Sequence, residues 1–424
     1  MKNLIEISYK SVSNSTLAAH LGLTEGLIRT QKKSDDPKLY LDNLSQYIID
    51  TQPFLKVETY AKEHNIDVNK LIKKIKDGQI SGFKSKKQKK EKTSGYLVPF
   101  NVGEAEELKE DIKTFENATV VAFANRSGGA GKSTNSIAFG TALATLGFDV
   151  LFVDGDTQSN SSQRLGLRPD LDFKYSIVDL MTEIGKSTDN CNELVKDSII
   201  ELGDSLKTLG KFDVIPNSGK YENEAKLTRI EEELKLYGTA YKSLDMTLNV
   251  VKKEYDFIVI DTAPSISTPM TISALATDYF VLSYRPEDKS YSGVPMLMAK
   301  LKEEIDPVYK AHKNKSIKII GGIITDFDSK VNVQKDNIDI IRENFKEINK
   351  RYNQNPSWNV FEETIKHLTK FEEIKIDSKG TLFSPESLSE SLDKNVSQVI
   401  KDYLTITTKI VERIIIDKFE EEAK

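Results

Sequence analysis

The rhythm of apolar and polar positions along this chain changes near Thr119. From there, short unbroken apolar runs stand between polar turns: "TVVAFAN" from Thr119, "FDVLFVDGD" from Phe148 and "YDFIVIDTAPS" from Tyr255. Runs of this length, apolar at successive positions and rich in β-branched residues, predict strands of a parallel sheet covered on both faces. Between the first two, "KSTNSIAFGTALATLG" offers Ile137, Phe139, Ala142, Leu143 and Leu146 for packing and predicts a helix. Before Thr119 the period is helical. In "NSTLAAHLGLTEGLIRTQKK" (residues 14–33), Leu17, Ala18 and Leu21 share a face, Gly22 breaks the run and Thr24 can cap a second helix carrying Leu27 and Ile28. In "VETYAKEHNIDVNKLIKKIKDGQISGFKSKK" (residues 57–87), a helix ends near Asn65, Ile66 anchors the turn, and Val68, Leu71, Ile72 and Ile75 form the next stripe. "KDGQISGF" then predicts a turn into a short strand.

Charge adds to this picture. The net charge is −5, yet the first 95 residues hold 18 Lys and Arg against 11 Asp and Glu, and the remainder 42 against 54. A basic front end on an acidic body points to an anionic polymer as its partner. Thr24, Arg29, Lys32 and Lys33 are left for solvent or a DNA groove if residues 14–33 form a helix-turn-helix, and an ordinary helical hairpin is the alternative. Residues 57–87 resemble the winged-helix readers of the excisionase and MerR type, with Lys70, Lys73 and Lys74 placed as phosphate contacts. A solvated lysine-rich helix is the competing interpretation. Between the two units, residues 39–50 read as a packing or dimerisation helix. The run "KSKKQKKEK" (residues 84–92) reads as a tether or a nonspecific phosphate contact. The expected divisions are 1–50, 51–83 and a basic linker at 84–95, with the α/β body at 96–424.

At 424 residues the chain is long enough for two or three domains, and 38% hydrophobic with 29% charged residues fits a soluble protein. No run approaches the roughly 18 apolar residues of a membrane span, and the start lacks a secretory pattern. The lone Cys191 can form no internal disulfide, which fits a reducing cytoplasm, and the four histidines are scattered.

The chemistry centres on "NRSGGAGKST", residues 125–134. Gly128, Gly129 and Gly131 let successive amides turn toward phosphate oxygens. The helix start adds its positive end, Lys132 can reach outer phosphates, and Ser133 can ligate magnesium. Asp261 ends one strand, where it can hold Mg2+ through water, and Asp154, a further candidate Mg2+ ligand, ends another together with Asp156. Strand ends are where open α/β sheets bind ligands, although simple strand-end capping also accounts for Asp154 and Asp156.

Taken as a set, these motifs resemble the ParA/Soj/MinD family of ATPases, and within it plasmid-partition ParA proteins with an N-terminal DNA-binding extension. The family loop, N-x-K-G-G-x-G-K-[ST]-T, is matched from Asn125 through Arg126, Ser127, Gly128, Gly129, Ala130, Gly131, Lys132 and Ser133 to Thr134. D-x-D-P-Q-x-N is matched from Asp154 to Asn160, with Thr157 for proline, and D-x-x-P from Asp261 to Pro264. "DYFVLSYRPEDKSYSG" (residues 278–293) is similar to the family's strand and loop beside the adenine, which brings in Pro286 and Asp288. "IKIIGGIITDFD" (residues 317–328) resembles the strand that follows. The likeness covers about residues 119–412, with a poorly matching, insertion-like stretch at 186–245. It implies a doubly wound, mostly parallel P-loop domain that binds ATP and Mg2+. It also implies a sandwich homodimer that binds DNA nonspecifically in the ATP state, a ParB-type centromere-binding partner that stimulates slow hydrolysis, and a role for Asp156 in orienting the attacking water. With the front end added, it implies a nucleoid-associated cytoplasmic partition protein that represses its own operator.

One position departs from the pattern. Where the family places a lysine that crosses to the partner's phosphates, this chain has Ser127. Either Arg126 or another basic residue compensates in a weak ATPase, or the chain is a ligand switch with negligible turnover, or the serine is itself an alteration. A membrane-bound spatial regulator of the MinD type is a further reading of the family. The C-terminal stretch, with Val396, Ile400, Leu404, Ile410, Val411 and Ile414 recurring, is expected to pack on the body rather than on a membrane, because it ends in the acidic "DKFEEEAK".

Overall fold

The structure, a computed structural model, describes residues 53–77, 79–80, 82–84, 95–156, 158–168, 171–186, 191–202, 208–218, 242–263, 268–367 and 394–423. They divide into a small unit that runs up to Val102 and includes residues 394–401, and a large one formed by residues 103–367 and 402–423.

The small unit is built on three short strands: β1 (Phe54–Lys56), β2 (Phe83–Lys84) and β3 (Tyr96–Pro99). They lie in the order β1-β3-β2, both pairings antiparallel. Helices Val57–Glu63 and Val68–Lys76 stand between β1 and β2. Asn65 takes φ +52, and Asp67 caps the second helix by accepting from the Lys70 amide at 2.8 Å. Leu71 and Ile75 turn inward onto Leu55, Val57, Tyr60, Ala61, Val98 and Val102, a small core of its own. Ile66, expected to anchor the turn, is instead 38% exposed.

Pairing with β1 and β2 places Tyr96–Pro99 in this sheet, not in the α/β body expected from residue 96 onward. The lysine run therefore begins at Lys84 in β2, and its remaining residues, 85–92, come between β2 and β3 in the sequence. The missed signal was β3 itself, four residues long and separated from β2 by a charge run. The helix-turn-helix expected at 14–33 and the helix at 39–50 lie outside the described residues.

The large unit is an eight-stranded sheet of order β11-β10-β9-β4-β8-β5-β7-β6. Its strands are β4 (Thr119–Ala124), β5 (Val150–Gly155), β6 (Ile200–Glu201), β7 (Phe212–Ile215), β8 (Phe257–Thr262), β9 (Tyr279–Tyr284), β10 (Lys318–Phe327) and β11 (Val360–Lys366). All neighbours run parallel except β6 with β7. Every residue of β4, β7, β8 and β9 is buried. That is the pattern of a parallel sheet with both faces covered, and it explains why these strands read as unbroken apolar runs. β7 lies inside the stretch at 186–245 that looked like an insertion, but it pairs in register with β5 and belongs to the sheet.

The C-terminal helix, Lys394–Glu422, buries all six expected apolar positions, Val396, Ile400, Leu404, Ile410, Val411 and Ile414. Arg413 fixes it to the sheet, donating to the carbonyls of Ile320 at 2.7 Å and Asn359 at 3.0 Å. No helix among the described residues is long and apolar enough to cross a membrane.

Candidate nucleotide site

Strand order positions the site. β4 lies between β8 and β9, and the chain leaves its C-terminal end through residues 125–131 into the helix Lys132–Thr145. Gly131 takes φ +85, and a Cβ there would stand 2.3 Å from Thr325 Cγ2, so only glycine fits. Asn125 is buried and holds the loop entrance. Its amide donates to the Ser283 carbonyl at 2.6 Å and the Ser290 carbonyl at 3.1 Å, while its Oδ1 accepts from the Ser127 amide at 2.8 Å. Lys132 is 6% exposed and folds back over the loop toward the Ser127 carbonyl at 3.4 Å. Burial lowers its pKa, and the nearby Asp261 and Asp156 oppose that shift.

Register brings the carboxylates to the loop. Asp261, on β8, sits opposite Phe123 of β4 and Asp154 of β5. Asp154 and Asp261 are fully buried neighbours. Burial first, and then the Asp261 charge, push Asp154 up to about 7. Burial likewise raises Asp261. Gly155 makes this packing possible, since a Cβ there would lie 2.8 Å from the Asp261 carbonyl oxygen.

Both oxygens of Asp154, expected as a candidate Mg2+ ligand, are instead engaged by hydrogen bonds within the protein. Oδ1 accepts from the Asp156 amide at 3.2 Å, and Oδ2 from the Ser162 amide at 2.8 Å and hydroxyl at 2.6 Å. Asp261 differs, because its Oδ2 accepts from Ser161 Oγ at 2.6 Å while Oδ1 is buried without a hydrogen-bond partner. The Ser133 hydroxyl lies beside the same carboxylate. A buried carboxylate oxygen with nothing bound to it, next to a serine hydroxyl at the start of the phosphate-loop helix, fits Mg2+. That ion commonly takes one or two carboxylates and completes its shell with waters and phosphate oxygens. No group of three or more His, Cys, Asp and Glu side chains arranged to cage a metal occurs among the described residues.

Asp156 is 5% exposed and its Oδ1 accepts from the Gln158 amide at 3.1 Å. Asn217, just beyond β7, donates to the Asp156 carbonyl at 3.0 Å and, through its backbone amide, to Ser162 Oγ at 2.9 Å. Ser161, Ser162 and Asn217 were not singled out in the sequence, because short polar stretches show no sign of which carboxylate they will meet. Pro286 and Asp288 follow β9. Pro286 is buried and its carbonyl accepts from Asn337 at 3.0 Å, whereas Asp288 is exposed and accepts from Tyr291 at 2.9 Å.

Three arginines flank the loop. Arg126 is exposed and its Cβ packs by Gly293. Arg285 pairs with Asp326 at 2.8 Å, near Gly129. Arg164 donates to Thr134 Oγ1 at 2.7 Å. Of the basic residues proposed for the front end, Lys70, Lys73 and Lys74 are exposed on the helix 68–76, which carries no acidic residue. Thr24, Arg29, Lys32 and Lys33 lie outside the described residues.

Comparison with known proteins agrees with this geometry. Residues 118–319 match a family described as an AAA domain. The sporulation initiation inhibitor protein Soj of Bacillus subtilis is 28% identical over 231 residues, 54% of this chain and 80% of Soj. The chromosome partitioning protein ParA of Myxococcus xanthus is 28% identical over 228 residues, 54% of this chain and 71% of its own. Among solved structures, the ParA of pNOB8 superposes with a TM-score of 0.50 at 18% identity, covering 71% of this chain and 99% of that one, and so shares the fold.

Proposed function

We propose that the body of this chain, centred on residues 118–319, is a P-loop ATPase of the ParA/Soj/MinD type, which the family match and the likeness to Soj and ParA support, and that it is a DNA-partition ATPase of the plasmid type. One observation carries the reading. A glycine loop with a buried lysine opens against a buried carboxylate oxygen that has no partner, all at the C-terminal edge of a parallel sheet. The site takes ATP with Mg2+, which when bound neutralises charge on the outer phosphates. The loop amides and Lys132 hold the phosphates, Ser133 and Asp261 hold the cation, and Asp154 fixes the turn that carries Asp156. Asp156 then orients water toward the terminal phosphate, so catalysis rests on positioning and charge.

The small unit supplies DNA contact. Its exposed Lys70, Lys73, Lys74 and Lys76 sit on the helix Val68–Lys76, which is followed in the sequence by the paired strands β2 and β3. This is the layout in which a helix and a wing meet phosphates together. On this reading the unit represses the chain's own operator, and the ATP-bound body dimerises and binds nucleoid DNA nonspecifically in the cytoplasm. A ParB-type centromere-binding protein releases it.

Phosphate release from ATP with Mg2+, with and without nonspecific DNA, tests the reading, with nucleotide binding by Lys132→Ala alongside. DNA-stimulated release together with lost binding in Lys132→Ala supports the proposal; absence of nucleotide binding by the unmodified chain sinks it. The neutral Ser127 keeps a second reading in view, a nucleotide-gated repressor with negligible turnover. Tight ATP binding with silent chemistry, with and without DNA and partner, would select it.

A further inference from the structure

The site as built is short of positive charge. Lys132 lies near the carboxylates of Asp156 and Asp261, with Asp154 beside Asp261, all four at most 6% exposed, before a triphosphate adds its own negative charge. Ser127 contributes none. Of the three arginines around the loop, Arg126 extends into solvent and Arg285 is neutralised by Asp326. Arg164 differs from both. It is half-buried, its hydrogen bond goes to a neutral hydroxyl, and no described carboxylate pairs with it.

We infer that Arg164 binds the phosphate chain of the nucleotide held by its own protomer, on the Thr134 side of the loop, and supplies in cis part of the charge that Ser127 lacks. The inference rests on the nucleotide-site reading above. Thr134 is in the first turn of the helix that begins at Lys132, where unpaired amides and the helix dipole gather an anion. A guanidinium has five N–H donors in a planar fork, so the bond to Thr134 Oγ1 orients the group and leaves the others for phosphate oxygens.

The position of Arg164 is tied to the chemistry through its helix. That helix, Asn160–Arg164, is pinned at Ser161 to Asp261 and at Ser162 to Asp154. The arginine therefore shares a short rigid segment with the partners of both strand-end carboxylates. Nothing in this arrangement needs a second copy of the chain, whereas the family's lysine acts across a dimer.

The test uses the full chain and fluorescent analogues of ATP and ADP with Mg2+, comparing Arg164→Gln, Arg164→Lys and Lys132→Ala, with unfolding midpoints measured free of nucleotide. The expected result is that Arg164→Gln weakens binding of both nucleotides by about 10- to 100-fold, as loss of a hydrogen bond to a charged group does. Arg164→Lys should recover part of that loss, and the midpoints should stay unchanged. Unaltered affinity and turnover in Arg164→Gln would overturn the inference and leave Arg164 a structural tether of Thr134. Equal losses in the Gln and Lys variants with lowered midpoints would do the same. Absence of nucleotide binding by the unmodified chain would defeat the reading of the site itself, and binding lost in Lys132→Ala but kept in Arg164→Gln would defeat this inference alone.

Discussion

At Ser127 the side chain ends in a hydroxyl that donates to the neighbouring Gly128 carbonyl at 3.2 Å, so it brings no charge to the phosphates. Charge-stabilising groups of the finger type contribute about 10³ to 10⁵ in rate in related phosphoryl-transfer enzymes. Ser127→Lys is therefore expected to raise phosphate release by more than about tenfold while leaving the dissociation constant for ATP within about threefold, because ground-state contacts through Lys132 and the amides are intact. Single-turnover and binding measurements separate the two effects. Asp154 gives a second prediction at this scale. Its folded pKa lies near 7, well above the ordinary carboxylate value near 4, so the folded protein keeps the proton to higher pH than the unfolded chain does. Between those two values the native state binds more protons, and stability falls as pH rises. Denaturant unfolding of the nucleotide-free protein should show that decline from about pH 4 to 7, and Asp154→Asn should flatten it.

Elements show how far the chain could be read without a structure. β4, β5 and β8 were legible because each is an apolar run buried on both faces, and the glycine loop because strand and helix flank it. β7 was not, since four residues in a polar neighbourhood leave too little pattern, and only its register with β5 gives it a place. The roles of Ser161, Ser162, Asn217 and Arg164 depend in the same way on which strands are neighbours, which a single sequence does not display. Lys70, Lys73 and Lys74 could be picked out by charge and period, and the structure leaves them exposed around buried Leu71 and Ile75. If they meet phosphates, Lys73→Glu with Lys74→Glu should weaken DNA binding evenly across sequences. The slope of log affinity against log salt should also fall by about two. Fluorescence anisotropy over a salt series checks this, and a slope unchanged in the double variant would assign those lysines to a solvated face.

Over the whole molecule, two separate cores have different relations to the ligand. The small unit closes on Leu55, Val57, Tyr60, Ala61, Leu71, Ile75, Val98 and Val102, while the large one closes on both faces of an eight-stranded sheet and holds every residue of the nucleotide site. A ligand stabilises only the cooperative unit that binds it, by RT ln(1 + [L]/Kd), about 2.7 kcal/mol at a hundredfold excess over Kd. Calorimetry should therefore resolve two transitions, with Mg2+ and ATP raising that of the large unit and leaving the small one in place. For a unit of roughly 300 residues, stabilisation of this size corresponds to an upward shift of about 4 to 8 °C. Lys132→Ala should abolish the shift while preserving both transitions. A joint shift of both transitions would mean that nucleotide binding reaches the small unit as well, and would couple the exposed lysines of that unit to the nucleotide state.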